Sequence, residues 1–287
     1  ELVDKLEDKM RLIELCLTMA YDGKVNYTDV LGTVRYWDNV IYNHLREKNI
    51  VIPRKKESEK SEKFEGAYVK DPQVGMHKWI MSFDLNSLYP HLIMQYNISP
   101  ETLVNSEDGI VEGMVDKILE GKTQNKTKYC MTPNGAFFRK DIKGFLPQLM
   151  ENMYNDRVKY KKLTLEARQK FEDTGDRNLL KVISRYNNIQ MAKKISLNSA
   201  YGAIGNNWFR YYDLMVATAI TTSGQLSIRW IEKSINIYLN KILKTKGIDY
   251  VVASDTDSVY ITFDKLVDQL FDEGTETSKV VAFLDRL

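Results

Sequence analysis

Two short acidic motifs stand 173 residues apart in this 287-residue chain: Phe83-Asp84-Leu85-Asn86-Ser87-Leu88-Tyr89-Pro90 and Ser254-Asp255-Thr256-Asp257-Ser258. Each follows a β-type run, Trp79-Ile80-Met81-Ser82-Phe83 before the first and Tyr250-Val251-Val252-Ala253 before the second. Val259-Tyr260-Ile261-Thr262-Phe263 follows the second motif, so it reads as a hairpin with acids at its tip. Strands ending in Asp can gather hard oxygen ligands for Mg²⁺, which prefers carboxylates, phosphate oxygens and water. Two such ions a few ångströms apart suit in-line attack of a hydroxyl on a phosphate. Either motif alone reads more often as a solvated turn, so the residues between them carry the argument.

Residues 145–171 are rich in helix formers and stop near Asp173-Thr174-Gly175-Asp176; residues 178–201 form a second helical stretch closed by Gly202. The pattern predicts an antiparallel helical hairpin inserted between the two acidic strands. Arg157 and Lys161, four apart, share a face of the first helix. Gln190, Lys194, Asn198 and Tyr201 form one stripe on the second. Most Lys-rich stripes are solvated faces, but here the charge is concentrated. Residues 139–194 hold 14 Lys or Arg against 7 Asp or Glu, a net +7 in a chain whose total is +2. A cationic lobe beside an acidic metal site suits a triphosphate, gripped by the Arg fork and the Lys point charge.

These residues then meet a known pattern. Asp84-Leu85-Asn86-Ser87-Leu88-Tyr89-Pro90 resembles the first polymerase motif of family B DNA polymerases. Lys194-Ile195-Ser196-Leu197-Asn198-Ser199-Ala200-Tyr201-Gly202 resembles the second, and Asp255-Thr256-Asp257-Ser258 the third. The likeness runs to the replicative polymerases of T-even-like phages. It extends through Asn97-Ile98-Ser99-Pro100-Glu101-Thr102, Gly205 to Leu214 and Ala217 to Thr222, and as far back as Trp37-Asp38 and Tyr42-Asn43.

The resemblance implies two Mg²⁺ ions, held by Asp84, Asp257 and the Leu85 carbonyl, with Asp255 as a neighbouring acid. It implies that Tyr89 lies under the incoming sugar and excludes a 2′-hydroxyl, and that Ser87 and Leu88 belong to the same nucleotide site. Arg157, Lys161 and Lys194 would hold the triphosphate, while Asn198 and Tyr201 would line the nascent base pair. Implied partners are primer–template DNA, dNTPs, further polymerase segments and a sliding clamp, in the cytoplasm of an infected bacterial host. Sequence choice would come from template pairing, without base-specific reading by these side chains.

The chain departs from the family pattern in places. Ala253-Ser254 replaces the usual Tyr-Gly, so Ser254 must adopt a backbone open to a residue with a Cβ. His91 replaces a small hydroxyl residue and is given no role, and the helical lobe is shorter than in the phage relatives. No Asp-x-Glu pair lies upstream to supply an exonuclease, and Leu287 falls soon after the third motif for a thumb. The expectation is a polymerase core cut at both ends.

The resulting fold is α+β (mixed α/β), an antiparallel palm sheet with helical-hairpin fingers. Residues 1–64 are a segment left from preceding domains plus a charged loop, 65–143 the first part of the palm, 144–206 the fingers and 207–287 the second part of the palm. Residues 2–19, 34–45 and 213–243 read as helices, with Trp230 and Ile231 on the buried face of the last. Gly66-Ala67-Tyr68-Val69 should start the sheet, Pro133-Asn134-Gly135 is a turn before a strand at 136–139, and the highly charged 53–63 is a mobile loop. Trp208, Phe209, Tyr211 and Tyr212 read as core aromatics before base-stacking ones. With 43% hydrophobic and 28% charged residues the chain can bury a core, and no run of eighteen apolar residues exists. Cys16 and Cys130 suit free thiols in a reducing compartment, and scattered histidines give no zinc pattern.

A nucleotide cyclase on a similar sheet would explain the acids but not the 194–201 stripe or Tyr89. A reverse transcriptase or RNA polymerase should lack the second motif. A different alternative is a folded palm-and-fingers fragment, inactive until a thumb or partner chain is restored.

Overall fold

The computed structural model describes residues 1–55, 64–104 and 110–287, so most of the charged stretch 53–63 lies outside the described residues. The first helices are α1 (Leu2–Met10), α2 (Leu12–Gly23) and α3 (Thr33–Glu47). They are followed by β1 (Val69–Lys70), β2 (Ile80–Asp84), α4 (Leu88–Tyr96), β3 (Leu103–Val104), α5 (Met114–Leu119), β4 (Cys130–Met131) and β5 (Phe137–Phe138). The long helices α6 (Phe145–Thr174), α7 (Asn178–Ile204) and α8 (Leu214–Ile242) precede the hairpin β6 (Val251–Asp255) and β7 (Ser258–Thr262). Helices α9 (Asp264–Leu270) and α10 (Thr277–Leu284) follow it.

The main sheet is antiparallel in the order β1-β6-β7-β2, and a small one runs β3-β5-β4. Register places Val69, Asp255, Ser258 and Asp84 in one row across the four strands. Residues directly opposite share a face, so Asp84 and Asp255 emerge on the same side, two strand spacings or about 10 Å apart. One core forms between α3, α4, α6, α7 and the start of α8, around Trp37, Ile93, Met150 and Ile220. A second packs the far half of α8 on β6 and β7 with α9 and α10. Burial of these side chains, at roughly 25 cal/mol per Å² of apolar surface, holds the helices against the sheet.

The expected helical hairpin is α6 and α7, with Gly175 capping α6 in the left-handed conformation. Several boundaries differ. Helix α7 runs through Gly202 and ends at Gly205. The 2–19 stretch is broken at Arg11 (φ 53°), because the Glu7 carboxylate accepts from the Ile13 N–H at 3.1 Å and starts a new helix there. Strand β1 starts at Val69, since the Gly66 carbonyl accepts instead from the Gln225 side chain at 2.7 Å.

Helix α8 starts at Asp213, whose carboxylate accepts from Met215 N–H at 2.8 Å and caps it. Its buried face runs through Ile228, Ile231 and Leu239, and Trp230, one residue and 100° away from Ile231, is 60% exposed, contrary to expectation. Phe209 and Tyr211 are buried, whereas Trp208 is 65% exposed. Both cysteines are free and partly buried. No described helix is long and apolar enough to cross a membrane.

Candidate active site

A cavity of about 390 Å³ gathers residues from three distant segments: Asp84, Asn86, Ser87, Leu88, Tyr89 and Pro90 from the first motif, Arg157, Lys194 and Asn198 from the hairpin, and Thr256 and Asp257 from the third motif. A larger groove of about 820 Å³ lies between α2 and the hairpin and collects none of the predicted site residues.

The acids are placed by the main chain. Asp84 ends β2 opposite Ser258, and the Leu85 N–H donates to the Asp257 carbonyl at 2.8 Å. The tip between β6 and β7 is tight, with Thr256 at φ 53°, a region costly for a β-branched residue. Its N–H donates to the Tyr68 carbonyl at 3.0 Å and its hydroxyl to Asp255 at 2.8 Å. Ser254 sits in β6, 2% exposed and extended, so the missing glycine costs no backbone strain there. The left-handed residue at the tip is Thr256.

Burial and the nearby negative charge of Asp84 raise the Asp257 carboxyl above the usual range, with Asp255 adding less. Asp255 is exposed and does not line the cavity. Among the described residues no three His, Cys, Asp or Glu side chains converge on one point. Two carboxylates fit a hard divalent cation that takes its other oxygens from backbone, phosphate and water.

Opposite the acids stand the cations. Arg157 donates from Nη1 to the Ser87 hydroxyl at 3.0 Å, while its buried Nε has no partner among the described residues. A guanidinium that lines the cavity with its fork fixed on Ser87 suits an anion such as a phosphate oxygen. Lys194 and Asn198 are exposed on the same face of α7.

Tyr89 lines the cavity with its ring centroid 4.8 Å from that of Tyr201. Burial pushes its phenol up to about 12, helped by Tyr201 and the acids Asp257 and Asp255, so it remains protonated at neutral pH. Tyr201 is half-buried behind Tyr89 and does not itself line the cavity. Nor do Gln190 and Leu85, whose side chain packs on the second core, nor Lys161, which is exposed one turn along α6. Thr256 was not singled out from sequence; its place between two aspartates at a hairpin tip was the available signal. His91 is a packed helix residue, its Nδ1 2.9 Å from the Ser87 carbonyl and its ring edge-on to Tyr154.

An acid-tipped antiparallel sheet facing a cationic helical hairpin defines the class as a polymerase-type α+β fold. A solved family B DNA polymerase of the hyperthermophilic archaeon Pyrobaculum calidifontis shares it, with a TM-score of 0.58 at 23% identity, over 92% of this chain and 31% of that one. The family model described as DNA polymerase family B matches residues 37–283, and the chain belongs to that family.

The DNA-directed DNA polymerase of Escherichia phage RB69 is 33% identical over 98% of this chain and 36% of its own length. That of Enterobacteria phage T4 is 34% identical over 97% and 36%. The DNA polymerase delta catalytic subunit of Candida albicans is 30% identical over 78% of this chain and 20% of its own length. The chain thus spans about a third of the length of the phage relatives. The first phage alignment covers 324 positions, more than the chain has residues, so that relative carries insertions within the matched span.

Proposed function

We propose that the chain is the palm-and-fingers core of a template-directed DNA polymerase that adds deoxynucleotides to a primer 3′-hydroxyl. The observation that carries this reading is the meeting of Asp84, Asp257, Arg157, Lys194 and Asn198 around one cavity from three distant segments. Residues 65–143 and 207–287 serve as the palm, 144–206 as the fingers, and 1–64 as a segment joining preceding domains.

Asp84 and Asp257, with the Leu85 carbonyl, would hold two Mg²⁺ ions. Bound there, the metal supplies positive charge to the attacking and leaving oxygens. Arg157 grips the triphosphate with the part of its guanidinium fork that lines the cavity, while Lys194 and Lys161 add positive charge along it as negative charge develops on the leaving pyrophosphate. Ser87 holds the Arg157 fork in place. Leu88 and Tyr89 form the floor under the sugar, where the Tyr89 ring excludes a 2′-hydroxyl. Asn198 and Tyr201 flank the nascent base pair. Asp255 adds negative potential at the tip without a required contact. The partners are primer–template DNA and dNTPs, with a sliding clamp and further polymerase segments, in the cytoplasm of an infected bacterial host.

Primer extension by the chain with Mg²⁺ and four dNTPs tests the reading, with Asp84→Ala and Asp257→Ala alongside. Extension lost in both variants supports it; extension surviving either sinks the metal assignment. The 36% coverage of the phage relatives favours a second reading, a folded fragment that extends primers only when its missing segments or a partner chain are supplied. Failure of the folded wild-type chain to extend, cured by adding those segments, selects it.

A further inference from the structure

The main chain of α8 passes directly beneath the Tyr89 ring. A methyl group built on Gly224 would stand 2.9 Å from Tyr89 Cε1 and 3.7 Å from Cδ1, with Leu88 Cδ2 at 3.8 Å. The first distance is shorter than carbon–carbon contact permits, so an added Cβ forces something to move. The helix is poorly placed to retreat. One turn around Gly224, Thr221 donates to the Glu65 carbonyl at 3.1 Å and Gln225 to the Gly66 carbonyl at 2.7 Å, pinning α8 to the chain that leads into β1. On another side Tyr201 is packed against Tyr89, ring centroids 4.8 Å apart. The open volume beside the ring is the cavity of about 390 Å³ that it lines.

We propose that Gly224 is a specificity-determining residue: its missing side chain sets how deep the Tyr89 ring sits, and so how much room the nucleotide sugar has. The inference rests on the reading of Tyr89 as the floor under the sugar. Gly in a helix interior costs roughly 0.5–1 kcal/mol relative to Ala, a cost this contact explains. Any side chain at 224 lifts the ring toward the sugar, and the 2′-hydroxyl of a ribonucleotide meets it first.

The test is a titration of dCTP and CTP, with Mg²⁺, onto the protein loaded with a primer–template whose primer ends in a dideoxynucleotide. Wild type, Gly224→Ala, Tyr89→Ala and the double variant are compared. Gly224→Ala is expected to weaken dCTP binding a few-fold and CTP binding by about a further tenfold, a step equivalent to about 1.4 kcal/mol. The double variant should match Tyr89→Ala alone, because the methyl group acts only through the ring.

A CTP-to-dCTP ratio unchanged by Gly224→Ala, with Tyr89→Ala relaxing it, overturns the inference and leaves the reading of Tyr89 standing. A change that persists in the double variant also overturns it. No discrimination in wild type, and none lost in Tyr89→Ala, overturns both. Should Gly224→Ala lower the melting temperature instead, removing the ring in the double variant must restore it to that of Tyr89→Ala; a failure to do so rejects the contact.

Discussion

The backbone N–H of Leu85 donates to the carbonyl oxygen of Asp257 at 2.8 Å. This one bond joins the two acidic motifs through their main chains, just beyond the last ladder pair, Asp84 with Ser258. Among the described residues no side-chain hydrogen bond or ion pair holds either Asp84 or Asp257, so both acids are placed by the main chain. Their mutual repulsion is borne by the sheet, and it is released by whatever cation or substitution removes a charge.

Asp257→Asn should accordingly make the metal-free protein more stable while abolishing catalysis. The Asp257 carboxyl is raised by burial and by Asp84, so the folded state holds its proton to a higher pH than the unfolded chain. Between the unfolded value and the raised one, the folded state binds more protons, so stability falls as pH rises and stays lower above that window. Thermal unfolding in EDTA across acid to neutral pH should show this decline in wild type and less of it in Asp257→Asn. Mg²⁺ should raise the wild-type melting temperature more than the variant's, by mass action on the folded state. A variant less stable than wild type at neutral pH in EDTA would contradict the repulsion.

Arg157→Lys should behave as a loss of function and not as a conservative change. The guanidinium reaches Ser87 at 3.0 Å with one arm while the same fork lines the cavity, and an ammonium cannot do both. Losing a charged hydrogen bond of about 1.5–3 kcal/mol corresponds to roughly a ten- to hundredfold rise in KM for dNTP. Lys161→Ala should change KM by no more than about fivefold, because exposed charges are worth about 1 kcal/mol or less. Steady-state primer extension separates the two, and equal effects would remove the distinction drawn between them.

The elements that sequence made legible are those whose signals are local. β-type runs on either side of Asp255-Thr256-Asp257 marked the β6–β7 hairpin, the Gly175 stop ended the first hairpin helix, and the four-residue spacing of Lys194 and Asn198 put both on the cavity. What stayed hidden depends on partners far along the chain. The left-handed Thr256 is held by the Tyr68 carbonyl, and the exposure of Trp230 follows from which face of α8 the second core selects. The break at Arg11 is local but rests on a capping contact from the Glu7 carboxylate that helical periodicity does not carry. Lys161 followed the same helical spacing as Arg157, yet one further turn of α6 carries it past the cavity rim into solvent.

Trp37 should be the main anchor of α3 on the hairpin. It is 1% exposed, and its indole N–H donates to the Ser199 hydroxyl at 3.0 Å, one turn after Tyr36 meets Ser196 at 2.7 Å. Trp37→Phe should cost about 1 kcal/mol, the worth of the hydrogen bond and a little packing. Trp37→Ala should cost about 3–5 kcal/mol through the cavity it leaves. Urea midpoints at unchanged slope would read both, and similar values for the two variants would show that packing contributes little.

Lys193→Met should unlatch the base of the hairpin. The Lys193 ammonium, buried between α2, α6 and α7, lies 2.7 Å from Asp22 and 3.1 Å from Asp156. Lys194 follows Lys193 and Arg157 follows Asp156 in the chain, so the triad ties the backbone that carries both proposed phosphate grips to α2. Burial alone would lower its pKa, but hydrogen bonds and charge from Asp22, then Asp156, outweigh that and raise it. A raised amine contributes stability that is whole below its unfolded pKa and is lost only as pH climbs through the folded value, so the wild type should weaken in strong alkali alone. Removing the cation leaves two like charges side by side, and because Asp22 and Asp156 stay partly exposed the loss should fall below the roughly 3–5 kcal/mol of a fully buried pair. The further variant Lys193→Met/Asp22→Asn/Asp156→Asn, which removes all three charges, should recover much of that loss, since apolar or neutral replacements of a whole buried ion group are often tolerated. Recovery of stability without recovery of dNTP affinity would show that the triad orients Arg157 and Lys194. Recovery of both would reduce it to a structural ion pair.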